Sequence, residues 1–288
     1  TKMYYDMDMN LAPHQMHPME LISQGKGNTD LISGYTNSSI GISEQVTLNV
    51  GVNAQVLTLN NSWTLEPRAG IKWQFSPKSS FALAYGVHSR MEKMDVYFVK
   101  TQGTGDRSVN KDLGFTRAHH VMLSYGFKIS DNMNMKIEPY FQQLYDVPVI
   151  ADSSYSVLNR RDFYVENALV NRGKGRNIGV DITLERYLNK GLYYMVTASI
   201  FDSKYYGGDR KWRNTLYNRN FIINVLGGKE WMVGRDKQNI FSMNFKITLQ
   251  GGDRYAPVDE AATLLDPDRE VQYDETKAFS KQFPCLSR

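Results

Sequence analysis

The sequence predicts an all-β chain that forms a segment of an antiparallel, up-and-down transmembrane β-barrel with about ten long strands. Three observations lead to this prediction. Apolar and polar residues alternate along the strands, the connections are short at one end of the sheet and longer at the other, and the charged residues of the strand interiors fall on one face. The whole chain, residues 1–288, is expected to form one such domain.

The strands are expected between residues 31 and 250. A weak strand rich in Ser and Asn comes first, over 31–42, and clear alternation follows in segments 46–56, 68–75, 81–88, 120–128 and 135–142. Pro139 weakens the pairing of its strand, because proline removes a ladder hydrogen bond. Residues 1–30, rich in Met, Pro, His and Gly without a period, are predicted to be a loop, and residues 251–288 a loop with a truncated strand.

The most regular hairpin lies between Gly175 and Tyr206 and turns near Gly191, which supplies the backbone freedom that a tight turn needs. Each arm has about a dozen residues, roughly twice the modal strand length of globular proteins. Two further strands, 220–228 and 241–249, complete the set. The apolar row of the hairpin is Ile178, Val180, Ile182, Leu184, Leu192, Tyr194, Val196, Ala198 and Ile200.

Connections alternate in length along the chain. Short turns are predicted near residues 44, 77, 131, 189 and 235, and long loops at 90–114, 147–174 and 207–215. Outer-membrane barrels show this asymmetry, with short periplasmic turns and long extracellular loops. A soluble sandwich or propeller would also alternate. Its strands, however, have about 5–6 residues, whereas a tilted membrane strand needs about 9–11.

Charged and aromatic residues are placed as a membrane barrel requires. An Arg or Lys facing lipid at the bilayer centre costs about 2–4 kcal/mol, so the charged row is expected to face the lumen. Aromatic residues beside the short turns are expected to form an interfacial belt. The charged residues are Arg68, Lys72, Lys128, Lys136, Glu138, Asp181, Glu185 and Lys246, and the aromatic residues are Phe75, Phe81, Phe127, Tyr187, Tyr193, Tyr194, Trp231 and Phe241.

Composition argues against several other classes of protein. The net charge of +4 is mild and the basic residues are interleaved with acidic ones, so no nucleic-acid surface is expected. The one cysteine, Cys285, allows no disulfide within the chain. No apolar run reaches the about 18 residues of a transmembrane helix, but a barrel strand needs only every second residue to be apolar.

Several segments, in their order and wording, resemble the TonB-dependent outer-membrane receptors, in particular those of Bacteroidetes-type bacteria. The segments are LEPRAGIKWQFSPKSSFALAYGVHSR (65–90), QLYDVPVI (143–150), GKGRNIGVDITLERYLNKG (173–191), SIFDSKY (199–205) and ITLQGGDRYAPVD (247–259). The resemblance implies a barrel of about 22 strands filled by an N-terminal plug. The sequence shows no plug domain, TonB-contacting segment or signal peptide, and the family pattern would add strands after its end, so a partial, C-terminal barrel region is expected.

The resemblance implies that the protein lies in the outer membrane and takes up a bound ligand of the siderophore, cobalamin or oligosaccharide class. Its implied partners are outer-membrane lipid, the plug domain and TonB, which delivers energy from the inner membrane. Two alternatives stay open: a plug-free channel or adhesin barrel, and a soluble β-sheet module that binds carbohydrate. Neither an enzymatic activity nor a cofactor is expected.

Aromatic residues of the long loops are the candidate ligand contacts, because their rings can stack on a sugar, a siderophore or a cobalamin-like ligand. Ordinary loop packing or an interfacial belt is the alternative for each. The candidate set is Trp63, Tyr97, Tyr155, Tyr164, Tyr206 and Trp212, and Phe98, Phe163, Tyr205 and Tyr217 have the same character.

Two other groups of residues were considered for chemistry. His14, Met16 and His17 could form a soft copper site, but no Cys or carboxylate spacing supports it, and methionines often fill packing gaps instead. Asp162 and Glu166 could be imagined as an acid and a base, but nothing in a long loop fixes their separation. No metal site and no catalytic residue are therefore predicted.

Overall fold

The chain is described by a computed structural model over residues 1–11, 19–101, 107–161, 164–267 and 270–287. It is almost entirely β-structure. In chain order the strands are β1 (Lys2–Leu11), β2 (Glu20–Gly41), β3 (Val46–Leu57), β4 (Ser62–Ser76), β5 (Ser79–Arg90), β6 (Thr116–Ser130), β7 (Met133–Val149), β8 (Val170–Asn189), β9 (Leu192–Tyr206), β10 (Trp212–Asn214), β11 (Phe221–Val233), β12 (Asn239–Gln250), β13 (Arg254–Tyr255), β14 (Lys281–Gln282) and β15 (Leu286–Ser287).

The strands form one antiparallel sheet in which neighbours in the chain are neighbours in space. Strands β1 to β9 pair in order, β9 then pairs with β11, and β11 with β12. The short β10 pairs with the end of β9, β15 with the end of β12, and β13 pairs separately with β14. The predicted all-β, antiparallel, up-and-down fold is thus confirmed.

Helical segments are short and lie in the connections. They are α1 (Met94–Tyr97), α2 (Glu260–Leu265) and two 3-10 turns, Val157–Asn159 and Glu275–Lys277. Within the described ranges, no helix has both the length and the apolar character needed to cross a membrane.

The sheet has one apolar and one polar face, because directly paired residues of neighbouring strands lie on the same side. Ile71 pairs with Leu83, and Leu83 with Leu123. These residues define what we call the apolar face, and it is exposed: Ile200 is 57% exposed and Ile247 53%. The residues that alternate with them along each strand define the polar face. This face carries all eight charged side chains of the predicted row.

Aromatic rings border the apolar face at both ends. At the short-turn end the ring centroids of Trp73 and Phe75 are 5.4 Å apart, and those of Trp231 and Phe241 5.7 Å. At the other end the ring of His119 lies 6.1 Å from that of Tyr85 and 5.1 Å from that of Tyr145. A transmembrane barrel has aromatic girdles in these two places.

A hydrophobic core lies at the long-loop end, on the polar side of the sheet. It contains residues of the connection after β5 and of the connection after β7, together with Leu57 of β3 and Val147 of β7. Its packing fixes the long connections against the strand ends. The buried members are Leu57, Val96, Tyr97, Phe98, Val99, Leu113, Phe115, Val147, Val157, Val165 and Leu169.

The predicted loop over residues 1–30 is wrong. These residues contain β1 and the first half of β2, which pair from Lys2 with Asp30 to Leu11 with Glu20. The strand forms because alternate residues of β1 are apolar, and Tyr5 packs on Phe98 of the loop core with ring centroids 4.5 Å apart. That alternation is visible in the sequence.

Two other local expectations are refined. Pro139 lies within β7, in the part that pairs regularly with β8 from Met133 to Leu144, but it has no pair on the β6 side, as expected for a residue without an N–H. The connection between β3 and β4 lies at the long-loop end and spans only residues 58–61. In the tail, Tyr273 does not start a strand but forms a single bridge to Val258, and the tail returns to pair at the end of β12.

Candidate functional site

The polar face is organised around Glu66, whose side chain is buried in the middle of the sheet. It accepts hydrogen bonds from Nδ2 of Asn53 at 3.0 Å, Nε2 of Gln55 at 2.8 Å and Nη2 of Arg68 at 2.9 Å. The backbone N–H of Ser89 donates to it at 3.1 Å and the Ser89 hydroxyl at 2.5 Å. These donors from β3, β4 and β5 replace the hydrogen bonds to water that a carboxylate loses when it is buried.

A cavity of about 360 Å³ lies next to this network. Arg68, His88 and His120 line it together with Asn37 and Asn49. The rings of His88 and His120 are 6.1 Å apart. The cavity therefore offers one fixed cation, two imidazoles and two amides on a surface that is open to solvent.

A second cavity, of about 530 Å³, follows along the polar face over β7, β8 and β9. Its walls are tied by hydrogen bonds between strands: Ser199 Oγ donates to Asp181 at 2.6 Å, Asn177 Nδ2 to Gln142 at 2.7 Å, and Ser203 Oγ to Asn177 at 2.6 Å. Such a ladder of amides, hydroxyls and carboxylates can bind polar groups of a ligand or of another protein domain.

The two cavities meet where β6 and β7 pair. The ring of His120, in the first cavity, lies 6.5 Å from the ring of Tyr140, in the second. The polar face from β3 to β9 therefore carries two adjacent cavities lined by hydrogen-bond donors and acceptors. Over the described part of the chain, no group of three or more His, Cys, Asp or Glu side chains is placed to hold a metal ion.

Tyr97, a predicted ligand contact, is a core residue of the long connection after β5. Its side chain is fully buried, and its hydroxyl accepts a hydrogen bond from the backbone N–H of Glu92 at 3.2 Å. Burial raises the pKa of Tyr97 to about 12 and also raises the pKa of Glu92. Because no part of its ring is accessible, Tyr97 does not belong to the candidate site.

Three other predicted contacts lie on the apolar face, away from the polar cavities. Trp63 is 64% exposed and belongs to the outward row of β4. Trp212 lies beside Tyr206 at the long-loop end of β9 and β10, with ring centroids 5.5 Å apart and ring planes tilted by 57°. These three residues belong to the aromatic border of the apolar face, which is the alternative weighed for them from the sequence.

The remaining predicted residues are dispersed. Tyr155 is half-buried against the loop core, and Tyr164 is half-buried in the same long connection. The six candidate aromatic residues are thus not brought together, and a role for Tyr155 and Tyr164 stays a prediction. The weak metal candidates His14, Met16 and His17, and Asp162 and Phe163, lie outside the described residues.

The sequence analysis missed the residues that organise the polar face. Glu66 precedes the predicted strand, which starts at Arg68, whereas β4 begins at Ser62. His88 and His120 fall at the ends of the predicted strands 81–88 and 120–128, and neither is among the predicted site residues. Extending β4 by two residues before Arg68 places Glu66 opposite Asn53.

No protein-family model and no curated protein matches the chain. Solved structures do. The outer membrane transporter YddB from Escherichia coli matches with a TM-score of 0.62 at 12% identity, over 95% of this chain and 40% of that one. The ferripyoverdine receptor of the outer membrane of Pseudomonas aeruginosa matches with a TM-score of 0.62 at 9% identity, over 90% of this chain and 32% of that one.

The ferric yersiniabactin uptake receptor FyuA from Yersinia pestis gives a TM-score of 0.59 at 8% identity, over 90% of this chain and 37% of that one. The chain thus spans 32–40% of the length of these three structures. At such low identity the likeness establishes the fold. The chain therefore shares its antiparallel strand arrangement with these outer-membrane proteins.

Proposed function

We propose that this chain is part of the barrel of an outer-membrane receptor that takes up a bound ligand. The observation that carries the proposal is the exposed apolar face, bordered by aromatic rings at both ends and opposed by a polar, hydrogen-bonded face. A soluble protein would bury so large an apolar surface. A barrel wall instead presents it to lipid and turns its polar side to the lumen.

The polar face is the part of this barrel that would contact the ligand or a plug domain. Arg68, His88 and His120 surround one cavity with groups that favour an anionic or oxygen-rich ligand. Among the ligand classes implied by the sequence, ferric siderophores agree best with the structural neighbours, which include a ferric yersiniabactin uptake receptor and a ferripyoverdine receptor. Energy for uptake would come from TonB, acting through the plug.

Fractionation of the source cells tests the location. An antibody raised against this chain should detect the whole protein in the outer-membrane fraction, and only detergent should release it. High salt should leave it in the membrane, because its attachment is hydrophobic. Recovery of the protein from the soluble fraction would overturn the proposal and favour the soluble carbohydrate-binding module.

A plug-free channel or adhesin barrel shares every feature of the sheet. The neighbouring DNA separates the two proposals, since a plug-coding segment upstream in the same reading frame supports the receptor. A signal peptide encoded directly before Thr1 supports the plug-free barrel.

A further inference from the structure

A group of cations lies at the long-loop end of the apolar face. The strand register places them on this face. Lys174 pairs with Tyr206 and Arg176 with Lys204, and these residues continue the outward-facing rows of β8 and β9 that contain Ile178 and Ile200. We call this group the basic rim; it consists of Arg172, Lys174 and Arg176 of β8, Lys204 of β9 and Arg210 in the connection that follows β9.

Most of the rim has no acidic partner. Within the described residues, the side chains of Arg172 and Arg210 make no hydrogen bond or ion pair, and Nε of Arg176 is buried without a hydrogen-bond partner. Lys174 Nζ lies only over the Tyr206 ring, at 5.7 Å from its centroid. Lys204 is paired with Asp202, at 3.4 Å between Nζ and Oδ2.

The rim surrounds a small cavity of about 180 Å³. Arg172, Lys174 and Arg210 line it, and Asp152 is the one carboxylate in its wall. The cavity exists because the connection after β9 approaches the connection after β7 closely at Gly208, where a Cβ atom would collide with the carbonyl oxygen of Ile150. Three cations around a pocket of this size fit a phosphate group.

The rim also continues the apolar face. Ile178 is the next outward residue after Arg176 along β8, and Ile200 precedes Asp202 along β9. The guanidinium of Arg176 lies 5.5 Å from the ring centroid of Trp212, in the aromatic border of that face. Cations directly above an apolar surface with Trp and Tyr beside them are placed at the height of lipid headgroups.

We propose that the basic rim binds the phosphate-bearing headgroup of a membrane lipid, whose acyl chains lie against the apolar face near Ile178 and Ile200. This inference rests on the proposed position of the chain in a membrane. The pocket between the two connections receives the phosphate, with Arg172, Lys174 and Arg210 as its donors. The excess of cations favours an anionic headgroup: Asp152 lies in the cavity wall, Asp202 is paired with Lys204, and Asp209 of the same connection is bound to Arg213.

The test compares lipid binding by the purified full chain and by the double variant Arg172→Gln, Lys174→Gln in detergent micelles. The probe is diphosphoryl lipid A, with its dephosphorylated form and inorganic phosphate as separate arms. The wild type should bind the diphosphoryl form at least about tenfold more tightly than the dephosphorylated form. The affinity of the double variant for the diphosphoryl form should be about thirtyfold lower, because each cation near a phosphate raises the affinity about fivefold.

The matched control is the double variant Lys78→Gln, Arg235→Gln, which removes the same two charges from exposed turns at the opposite end of the sheet. It should bind like the wild type. The charge-preserving variant Arg172→Lys, Lys174→Arg should retain most of the binding, which separates lost charge from lost folding. Circular dichroism checks that each variant keeps its strand content.

Equal binding of the dephosphorylated lipid, or equal weakening in the control variant, would overturn the proposal. Inorganic phosphate that competes at millimolar concentration and binds as tightly as the lipid would also overturn it, because the rim would then be a site for free anions. These measurements use micelles and do not depend on where the protein resides in cells. Failure of lipid binding and failure of the outer-membrane location are therefore distinguishable.

Discussion

Glu66 shows how one residue sets the character of the polar face. Its carboxylate is almost inaccessible, yet it receives hydrogen bonds from three side-chain neighbours and from Ser89. An ionised carboxylate can be buried only when such donors replace water. The network joins three adjacent strands and fixes Arg68 at the edge of the adjoining cavity.

Replacing Glu66 by Gln should destabilise the sheet by about 2–3 kcal/mol, because an amide brings donors against the donors of Asn53 and Gln55. Urea unfolding of the full chain in phospholipid vesicles measures the change. The control is Glu138→Gln, which removes only the ion pair with Lys136 at 2.8 Å and should cost less than about 1 kcal/mol. Equal losses in the two variants would show that Glu66 is not the centre of the network.

Asp209 provides a pH-dependent contact outside the strands. Nη1 and Nη2 of Arg213 donate to its two oxygens at 2.9 and 2.6 Å, and these hydrogen bonds lower the pKa of Asp209. A carboxyl whose pKa is lowered by folding contributes stability above its unfolded pKa of about 3.9, and this contribution is lost as the pH falls through the folded pKa.

The protection factors of the amides in the connection between β9 and β11, which are corrected for the intrinsic exchange rate at each pH, should therefore be high at neutral pH and fall below about pH 4. Mass spectrometry of the peptides that cover residues 207–215 measures them. Asp209→Asn should exchange faster at neutral pH and lose the acid-dependent step. An unchanged step in that variant would assign the transition to another group.

At the scale of the element, β8 shows how alternation determines which face of the sheet each side chain occupies. Ile182 faces outward in the apolar row and pairs with Ala198, whereas Thr183 faces the polar side and pairs with Thr197. The two residues are adjacent in the chain, have the same backbone environment and differ only in the face they occupy.

Ile182→Lys should destabilise the membrane-inserted chain by about 2–4 kcal/mol, because the ammonium faces lipid near the middle of the band. Thr183→Lys, its matched control, should cost less than about 1 kcal/mol, because its side chain faces the polar side. Urea titration in phospholipid vesicles compares them. A larger loss for Thr183→Lys would reverse the assignment of the two faces.

For the whole molecule, the unequal connections predict an orientation in the membrane. Long connections of outer-membrane barrels face the exterior and short turns the periplasm. Lys211 lies in a long connection and Arg235 in the turn between β11 and β12, and both are exposed. The two positions should therefore lie on opposite sides of the membrane.

Cysteine labelling of intact cells tests this orientation. In a background in which the exposed Cys285 is replaced by Ser, Lys211→Cys should react with a membrane-impermeant maleimide, and Arg235→Cys only after the outer membrane is disrupted. Labelling of both positions in intact cells would contradict a spanning sheet. The reverse pattern would contradict the proposed orientation alone.

The positions of the strands and the face of each side chain could be predicted because the alternation of apolar and polar residues depends only on residues that are close in the sequence. The predicted rows of β3 to β9 are those of the structure, including the placement of every charged residue of the row on one face. The hairpin of β1 and β2 was missed although Met3, Tyr5 and Met7 alternate with polar residues. Its long Gly-rich second arm and the Pro- and His-rich connection concealed the pattern.

The sequence by itself determined the all-β class, the antiparallel order and the two faces, because each depends on neighbours within a strand or on the next strand. Only the tertiary structure decided which aromatic residues are buried, which of them border the apolar face, and which polar side chains surround Glu66. Those outcomes depend on contacts between connections far apart in the chain, such as Tyr5 on Phe98. Alternation fixes the face of a side chain, but only packing between distant segments fixes its partner.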